Sequence, residues 1–346
     1  MEDNIDIANI LNLLPQPIFC ARNGLIVCRN QPAAQLFLEP QLPVAELLGE
    51  AAEDYARFQS GSLYLTLMLP GQALGACVSR LGDMDIFVVE QQTELQVMSL
   101  AAIQLRDPLS DVLSILQRLP SQKEFPYLGH LNRRLFQIQR LVFNMADAAR
   151  YTSNYPGRMV YMDICAVVEE LFQHIELLAA KNDIKLVYSC PREQILTMLN
   201  TEMLERALYN MVSNAMKATE KGGTIEAKLT WAKNRLYLCV RDFGSGIPES
   251  IQGTLYSRYL RQPGLDSRQE GLGLGMTLIR SAATAHGGTL LVDHPDEVGT
   301  RVTMSLSIQK NSENLLRSTT LPFDYAGEQD HGLLELADLL PPELYF

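Results

Sequence analysis

Between Met98 and Ala149 the chain carries two apolar seams of unusual regularity, and they limit its architecture more than any other stretch. In the first, Met98, Ala102, Leu105, Leu109, Val112, Leu116 and Leu119 alternate steps of four and three residues; in the second, Leu131, Leu135, Ile138, Val142, Met145 and Ala149 do the same. A repeat of about 3.5 residues belongs to helices that supercoil around partners. Pro120 and Pro126 break the chain between the two, as a helical hairpin requires. One hairpin covers its own seams poorly, so two copies joined as a four-helix bundle are the economical solution. The expectation is a homodimer built through residues 93–155.

The flanking stretches are patterned differently, and 346 residues are enough for two or three domains. Residues 1–92 read as a small mixed domain. Ile18-Phe19-Cys20-Ala21 and Leu25-Ile26-Val27-Cys28 flank Arg22-Asn23-Gly24, where Asn-Gly supplies the positive φ of a hairpin turn. Pro32 suits the start of short helices running through Phe37 to Leu48. Three apolar stretches, Leu63 to Leu69, Ala73 to Val78 and Asp85 to Glu90, complete an antiparallel sheet. This order resembles that of PAS sensor domains, and Asn30-Gln31-Pro32-Ala33-Ala34 resembles their step from the second strand into helix.

Residues 156–310 read as an α/β domain. A helix from Cys165 to Ala180 precedes short strands at Lys185 to Ser189 and Ile195 to Leu199, and Thr201 opens a second helix. Thr224 to Trp231 and Arg235 to Arg241 alternate apolar and polar residues and form an antiparallel pair across Ala232-Lys233-Asn234. A helix from 274 to 285, ended by Gly287-Gly288, leads to a last strand pair, Thr289 to Val292 and Thr300 to Ile308.

Charge and cysteine usage exclude several functions. The 29 basic against 40 acidic residues give a net charge of -11, which speaks against general affinity for nucleic acid or anionic lipid. No apolar run approaches the roughly 18 residues that cross a bilayer, and Met1-Glu2-Asp3-Asn4 is acidic where a signal peptide is basic. A cytoplasmic protein without a membrane span is expected. The six cysteines, at 20, 28, 77, 165, 190 and 239, show no Cys-x-x-Cys spacing and read as buried thiols.

Three stretches carry chemistry. On the helix from Thr201, Leu204, Leu208, Met211, Ala215 and Ala218 form a core stripe, and Asn210, Asn214 and Lys217 line a neighbouring face. Amide oxygens are hard ligands for Mg²⁺ and an ammonium is a point charge for phosphate. By itself such a stripe is more often a solvated face. Asp242-Phe243-Gly244-Ser245-Gly246-Ile247 follows a strand, placing a carboxylate where it can accept from an exocyclic amine, with glycines that admit a ring to the backbone. Gly271-Leu272-Gly273-Leu274-Gly275 opens a helix whose amides and dipole can cradle phosphate. Either glycine stretch alone is more often a tight turn.

In order and spacing, Asn210-Met211-Val212-Ser213-Asn214-Ala215-Met216-Lys217, Asp242 to Ile247, Gly271 to Gly275 and His286-Gly287-Gly288 closely resemble the catalytic domain of sensor histidine kinases, in the GHKL ATPase superfamily. The resemblance spans about residues 160 to 308. It implies ATP and Mg²⁺ as cofactors, with Asn214 as the metal ligand, Asn210 supporting it, Lys217 on phosphate and Asp242 on the adenine amine, a contact Thr300 shares through water. Gly244, Gly246, Gly271, Gly273, Leu274 and Gly275 complete the implied ATP-binding set. Residues 248 to 270 correspond to the family's ATP lid, with Leu255-Tyr256 at its aromatic position. His286 reads as a helix-end residue before its glycine cap. The implied fold class is multidomain α+β: a PAS-like domain, a helical hairpin forming a dimeric four-helix bundle, and a GHKL α/β sandwich.

The hairpin also departs from the family. Leu105-Arg106-Asp107-Pro108-Leu109 resembles the Leu-Arg-x-Pro-Leu that follows the phosphoacceptor histidine, and the alignment puts Ile103 at the acceptor position. Isoleucine has no nucleophile. The acidic neighbour becomes Gln104, and Asp107 stands where a phosphatase motif has Thr or Asn. His130, the hairpin's own histidine, lies by the loop, roughly 20 Å along the helix from that level. His174, His294 and His331 read as surface, loop or tail residues. No replacement acceptor is found.

Residues 311–346 hold seven acids (Glu313, Asp324, Glu328, Asp330, Glu335, Asp338, Glu343) against Arg317, interleaved with Leu333, Leu334, Leu336, Leu339, Leu340, Tyr345 and Phe346. Such a segment docks on a partner, folds back, or stays partly disordered. The leading expectation is a histidine kinase-like pseudokinase that binds Mg·ATP and signals by conformation to a response regulator or another kinase. The alternatives are an active ATPase or kinase acting on an external or unconventional residue, and a non-enzymatic dimeric scaffold. Asn210 stands where the superfamily's hydrolases place a glutamate base, which weighs against hydrolysis.

Overall fold

The computed structural model describes residues 11–36, 38–90, 105, 109, 112, 127–150, 158–191, 193–247, 274–295, 298–309 and 329–345. Ile103, Gln104, Asp107, Pro120, Pro126, the lid stretch 248–270, Gly271 and Gly273 lie outside them.

The N-terminal domain forms as its patterning requires. Strands β1 (Ile18–Arg22) and β2 (Leu25–Arg29) pair across Asn23-Gly24, both at positive φ (53° and 77°). Helix α1 (Gln31–Ala34) is capped by Asn30, whose Oδ1 accepts from the Ala33 and Ile18 N–H groups while Nδ2 donates to the Leu11, Leu14 and Gln16 carbonyls. Short helices α2 (Ala45–Leu48) and α3 (Ala52–Arg57) follow, then β3 (Ser62–Leu69), β4 (Gln72–Leu81) and β5 (Met84–Val89). The five strands lie in the order β2-β1-β5-β4-β3. Phe19 stacks on Phe87 in a core completed by Ile26, Leu48, Phe58, Leu63 and Leu65.

Leu105, Leu109 and Val112 are helical, as the first seam predicts, and the second seam forms α4 (Leu128–Arg150). Its buried face is not the whole seam. Asn132, Phe136, Gln139, Arg140, Phe143 and Asn144 are buried, whereas Leu131 and Ile138 are 49% and 45% exposed, as are Leu105 (54%) and Val112 (44%).

The α/β domain comprises β6 (Val160–Asp163), α5 (Ile164–Ala179), β7 (Lys185–Ser189), β8 (Leu196–Leu199), α6 (Thr201–Ala218), β9 (Thr224–Ala232), β10 (Arg235–Arg241), α7 (Gly275–Ala285), β11 (Leu290–Asp293) and β12 (Arg301–Ser307). Asp163 caps α5 and Asn200 caps α6 through their side-chain oxygens. β6 pairs with β8 in a separate ribbon, a strand that the patterning did not reveal. The main sheet runs β11-β12-β10-β9-β7, antiparallel except between β7 and β9, and α5, α6 and α7 cover one face through Phe172, Ile175, Leu208, Met211 and Ile279.

Two larger contacts are not visible in any local pattern. Strand β3 pairs antiparallel with β11, matching Tyr64 with Leu290 and Ser62 with Val292, so the two sheets are one of ten strands. The chain from 330 to 345 folds back: α8 (His331–Glu335) and a 3₁₀ turn at Pro342–Leu344 bury Leu334, Leu336, Leu340 and Tyr345 against α4, α5 and α6. Of the alternatives for the tail, folding back is what residues 330–345 do.

Candidate functional site

The site is assembled where the C-terminal half of α6, the end of β10 and the start of α7 converge. Asn210 is buried; its Nδ2 donates to the Arg206 carbonyl at 2.8 Å, the i-4 bond that orients the amide, and its Oδ1 accepts from Arg140 Nη2 at 3.3 Å. One turn on, Asn214 is half-buried and turns its Nδ2 to Met276 Sδ at 3.8 Å, so the amide oxygen points away from α7's sulfur. Lys217, near the end of the helix, lies 3.6 Å from Asp338 Oδ2.

Asp242 leaves β10 with its carboxylate fixed. Oδ1 accepts from the N–H groups of Gly244 (2.9 Å) and Thr300 (3.2 Å), and the backbone N–H of Asp242 donates to the Thr300 carbonyl. Burial pushes this carboxyl above the ordinary aspartate range, offset in part by the two N–H donors and by His294. The glycines are dictated by contact. A Cβ on Gly244 would stand 2.2 Å from the Ala218 carbonyl, and Gly299, at φ +70°, passes so near the Asp242 carbonyl that a Cβ would lie 2.0 Å from it. Gly246 also holds a positive φ, +72°.

Helix α7 begins at Gly275, with buried Leu274 as its N-cap residue. A Cβ on Gly275 would lie 2.9 Å from Asn210 Oδ1, so glycine is what lets the first turn of α7 close on α6. Eleven residues give the helix a dipole whose positive end faces the α6 stripe. The structure thus brings together Asn210, Asn214, Lys217, Asp242, Gly244, Gly246, Leu274, Gly275 and Thr300.

The residues fit a metal-nucleotide. Among the described residues no group of three or more His, Cys, Asp or Glu forms a metal site, so a cation here would draw its ligands from Asn214 and from phosphate oxygens, the usual manner for Mg²⁺.

Residues 200–310 match the family model described as histidine kinase-, DNA gyrase B- and HSP90-like ATPase, the span from the cap of α6 to just beyond β12. The curated proteins to which the chain is similar are sensory and sensor histidine kinases. The chain is 26% identical over 244 residues to the adaptive-response sensory kinase SasA of Synechocystis, covering 66% of this chain and 63% of that protein. It is 23% identical over 328 residues to the sensor histidine kinase WalK of Bacillus subtilis, covering 85% of this chain and 53% of the relative. The chain therefore spans less than two thirds of either relative. The crystal structure of full-length ShkA in complex with AMPPNP shares the fold, with a TM-score of 0.51 and 18% identity over 63% of this chain and 47% of that one.

Several residues at the site were not singled out by pattern. Arg140 and Arg206 are buried beside the α6 stripe. Arg206 donates from Nε to Glu335 Oε1 (3.0 Å) and from Nη2 to Asn144 Oδ1 (2.7 Å) and pairs with Asp147; Arg140 pairs with Glu335 (3.3 Å) and Asp338 (2.7 Å). The sequence signal for Arg206 was its place four residues before Asn210 on one face. His174 differs from its expectation as a surface residue: it is half-buried, with Nδ1 3.0 Å from Tyr209 Oη and Nε2 3.3 Å from Asp330. His331 pairs with buried Glu205. His286 is buried and structural. Its Nε2 accepts from the Asn200 N–H and its Nδ1 donates to the Ala282 carbonyl, so it is the neutral tautomer, and burial lowers its pKa.

Proposed function

We propose that the chain binds Mg·ATP between α6, β10 and α7 and uses nucleotide occupancy as a conformational signal, without phosphorylating its own hairpin at position 103. The observation that carries this reading is Asp242. Its Oδ1 is held by two backbone N–H groups at the end of β10, and an adenine amine would donate to this fixed carboxylate. Asn214 would hold the metal, Lys217 and the α7 N-terminus the phosphates, and Asn210, Gly246, Gly271, Gly273, Leu274 and Thr300 complete the pocket. A bound metal would neutralise phosphate charge.

The N-terminal strand order supports a PAS-like sensor, and the exposed seam residues Leu105, Val112, Leu131 and Ile138 support a dimeric bundle through residues 93–155. The domain limits that go with this reading are 1–92, 93–155, 156–310 and 311–346. Among the described residues no helix is long and apolar enough to cross a membrane, in keeping with a cytoplasmic setting. A response regulator or second kinase is the partner that the family relationship favours.

Titration with Mg·ATP, of the full chain and of Asp242→Asn and Asn214→Ala, tests the reading. Micromolar binding that both variants weaken at least tenfold supports it; binding indifferent to both substitutions overturns it. Incubation with γ-labelled Mg·ATP tests the second half. An acid-labile, alkali-stable label lost in Asp242→Asn would mean that a histidine elsewhere accepts phosphate.

A further inference from the structure

The polar stripe of α6 is not open along its whole length. Arg140 of α4 reaches Asn210 Oδ1 and Ser213 Oγ through Nη2, each at 3.3 Å. Through Nη1 the same guanidinium donates to Asp338 Oδ2 at 2.7 Å. That one carboxylate oxygen is also 3.6 Å from Lys217 Nζ. A single anionic oxygen therefore sits between a guanidinium from α4 and an ammonium from α6, and that ammonium is the one the proposed site sets against phosphate.

The two carboxylates paired with Arg140 behave differently. Glu335 is fully buried and ties Arg206 to Arg140, so it fixes the fold. Asp338 is 17% exposed and Lys217 24%, so water reaches their contact and the carboxylate can be exchanged for another anion. A phosphate oxygen has the same sign and accepts from the same donors, and guanidinium matches phosphate geometry better than it matches a lone carboxylate oxygen.

We propose that Asp338 is an internal phosphate mimic: it occupies the subsite for the nucleotide's terminal phosphate, and Arg140 with Lys217 forms that subsite. The inference rests on the Mg·ATP reading and names what distinguishes ATP from ADP within it. A nucleotide carrying the terminal phosphate displaces Asp338 and takes both cations; a diphosphate leaves Asp338 in place. Because Arg140 belongs to the hairpin and Asp338 to the folded-back tail, the exchange changes which partner holds α4 to the ATPase domain.

The test is the affinity of the full chain for Mg·ATP and Mg·ADP, each measured calorimetrically for wild type, Asp338→Asn and Arg140→Lys. Asp338→Asn keeps shape and leaves Arg140 paired with Glu335. Removing one competing, partly exposed charge is expected to tighten Mg·ATP about fivefold and to change Mg·ADP less than about twofold. Arg140→Lys, which keeps the charge but not the fork, is expected to lower the ATP-over-ADP preference. Equal effects of Asp338→Asn on both nucleotides, or none on either, would overturn the inference while wild-type binding that needs Asp242 keeps the nucleotide site. Absence of binding in wild type and Asp338→Asn alike would overturn both; binding gained only in Asp338→Asn would support both. Near- and far-ultraviolet circular dichroism identify any variant that fails to fold.

Discussion

Asp242 commits one oxygen to the fold, and in the proposed site its carboxylate also serves the nucleotide, a double duty that costs stability. Its carboxyl is held above the ordinary aspartate range, chiefly by burial. The native state therefore takes up its proton at higher pH than the unfolded chain does. On this group alone, stability falls as pH rises through the window between the ordinary and the raised value. Nucleotide binding has the opposite sign, since an adenine amine needs an ionised or at least unprotonated acceptor. We expect Asp242→Asn to raise the thermal midpoint of the unliganded protein slightly and to weaken Mg·ATP binding about tenfold, the loss of one charge-assisted hydrogen bond. Scanning calorimetry and titration across pH 4 to 7, on about the scale where such groups titrate, check both signs. A variant less stable than wild type near neutral pH would refute the argument. Gly244 makes a sharper steric case. Alanine there would drive its Cβ into the Ala218 carbonyl at 2.2 Å, so Gly244→Ala should cost about 1–3 kcal/mol in urea unfolding and displace the Asp242 turn.

At the scale of elements, the docking of α8 carries its own pH dependence. Asp330 caps α8 by accepting from the Leu333 N–H and faces His174 of α5, which also meets Tyr209, with Glu205 nearby. The hydrogen bond to Asp330 raises the His174 pKa against the opposing effect of burial. Burial acts to raise the Asp330 pKa, but the His174 hydrogen bond and the Leu333 N–H outweigh it and lower it. The histidine's contribution is complete below its ordinary value and is lost as pH rises through the raised one. The aspartate's contribution is complete above its ordinary value and is lost as pH falls through the lowered one. Amide exchange protection of Leu333 to Leu336 should therefore be greatest between those limits, and His174→Gln should remove the upper edge and shrink the lower one, which His174 helps to set. A protection profile flat across neutral pH in wild type would contradict this. The same segment marks what the sequence makes legible. Strands, helices and caps follow from local period and turn chemistry, so α6, β9, β10 and the Asn210-Asn214-Lys217, Asp242 and Gly275 positions could be read directly. Arg140, His174, Glu335 and Asp338 take their roles from residues 35 to nearly 200 positions away, and no local pattern records such a pairing. Strand β6 is short and pairs with an equally short β8, leaving too few residues to show alternation.

At the scale of the whole molecule, the junction between β3 and β11 decides whether the N-terminal domain and the ATPase domain behave as one body. Backbone pairing there is short, and side chains reinforce it. Asp54 Oδ2 accepts from Arg235 Nη2 (2.6 Å), Thr289 Oγ1 (2.7 Å) and Ser305 Oγ (2.7 Å), and Tyr237 Oη donates to its other oxygen at 3.2 Å. Asp54 and Arg235 are each about 6% exposed. On the opposite side Glu90, just past β5, pairs with Arg280 of α7, whose guanidinium also lies over the Tyr64 ring. Arg280 is on the helix that begins at Gly275, so a change at the end of β5 has a direct mechanical path to the proposed phosphate site. Removing one member of a buried, hydrogen-bonded ion pair costs more than the pair contributes, because the remaining charge keeps its desolvation penalty. Asp54→Ala leaves a buried guanidinium and three hydroxyls without the carboxylate they share, so it should destabilise the junction by about 3–5 kcal/mol. If the junction couples the domains, wild type unfolds in urea as a single transition seen alike by Trp231 fluorescence and by circular dichroism, and Asp54→Ala splits it into two. Two separate transitions already present in wild type would mean that the ten-stranded sheet does not act as one cooperative unit, and the Glu90 to Arg280 path would lose its basis.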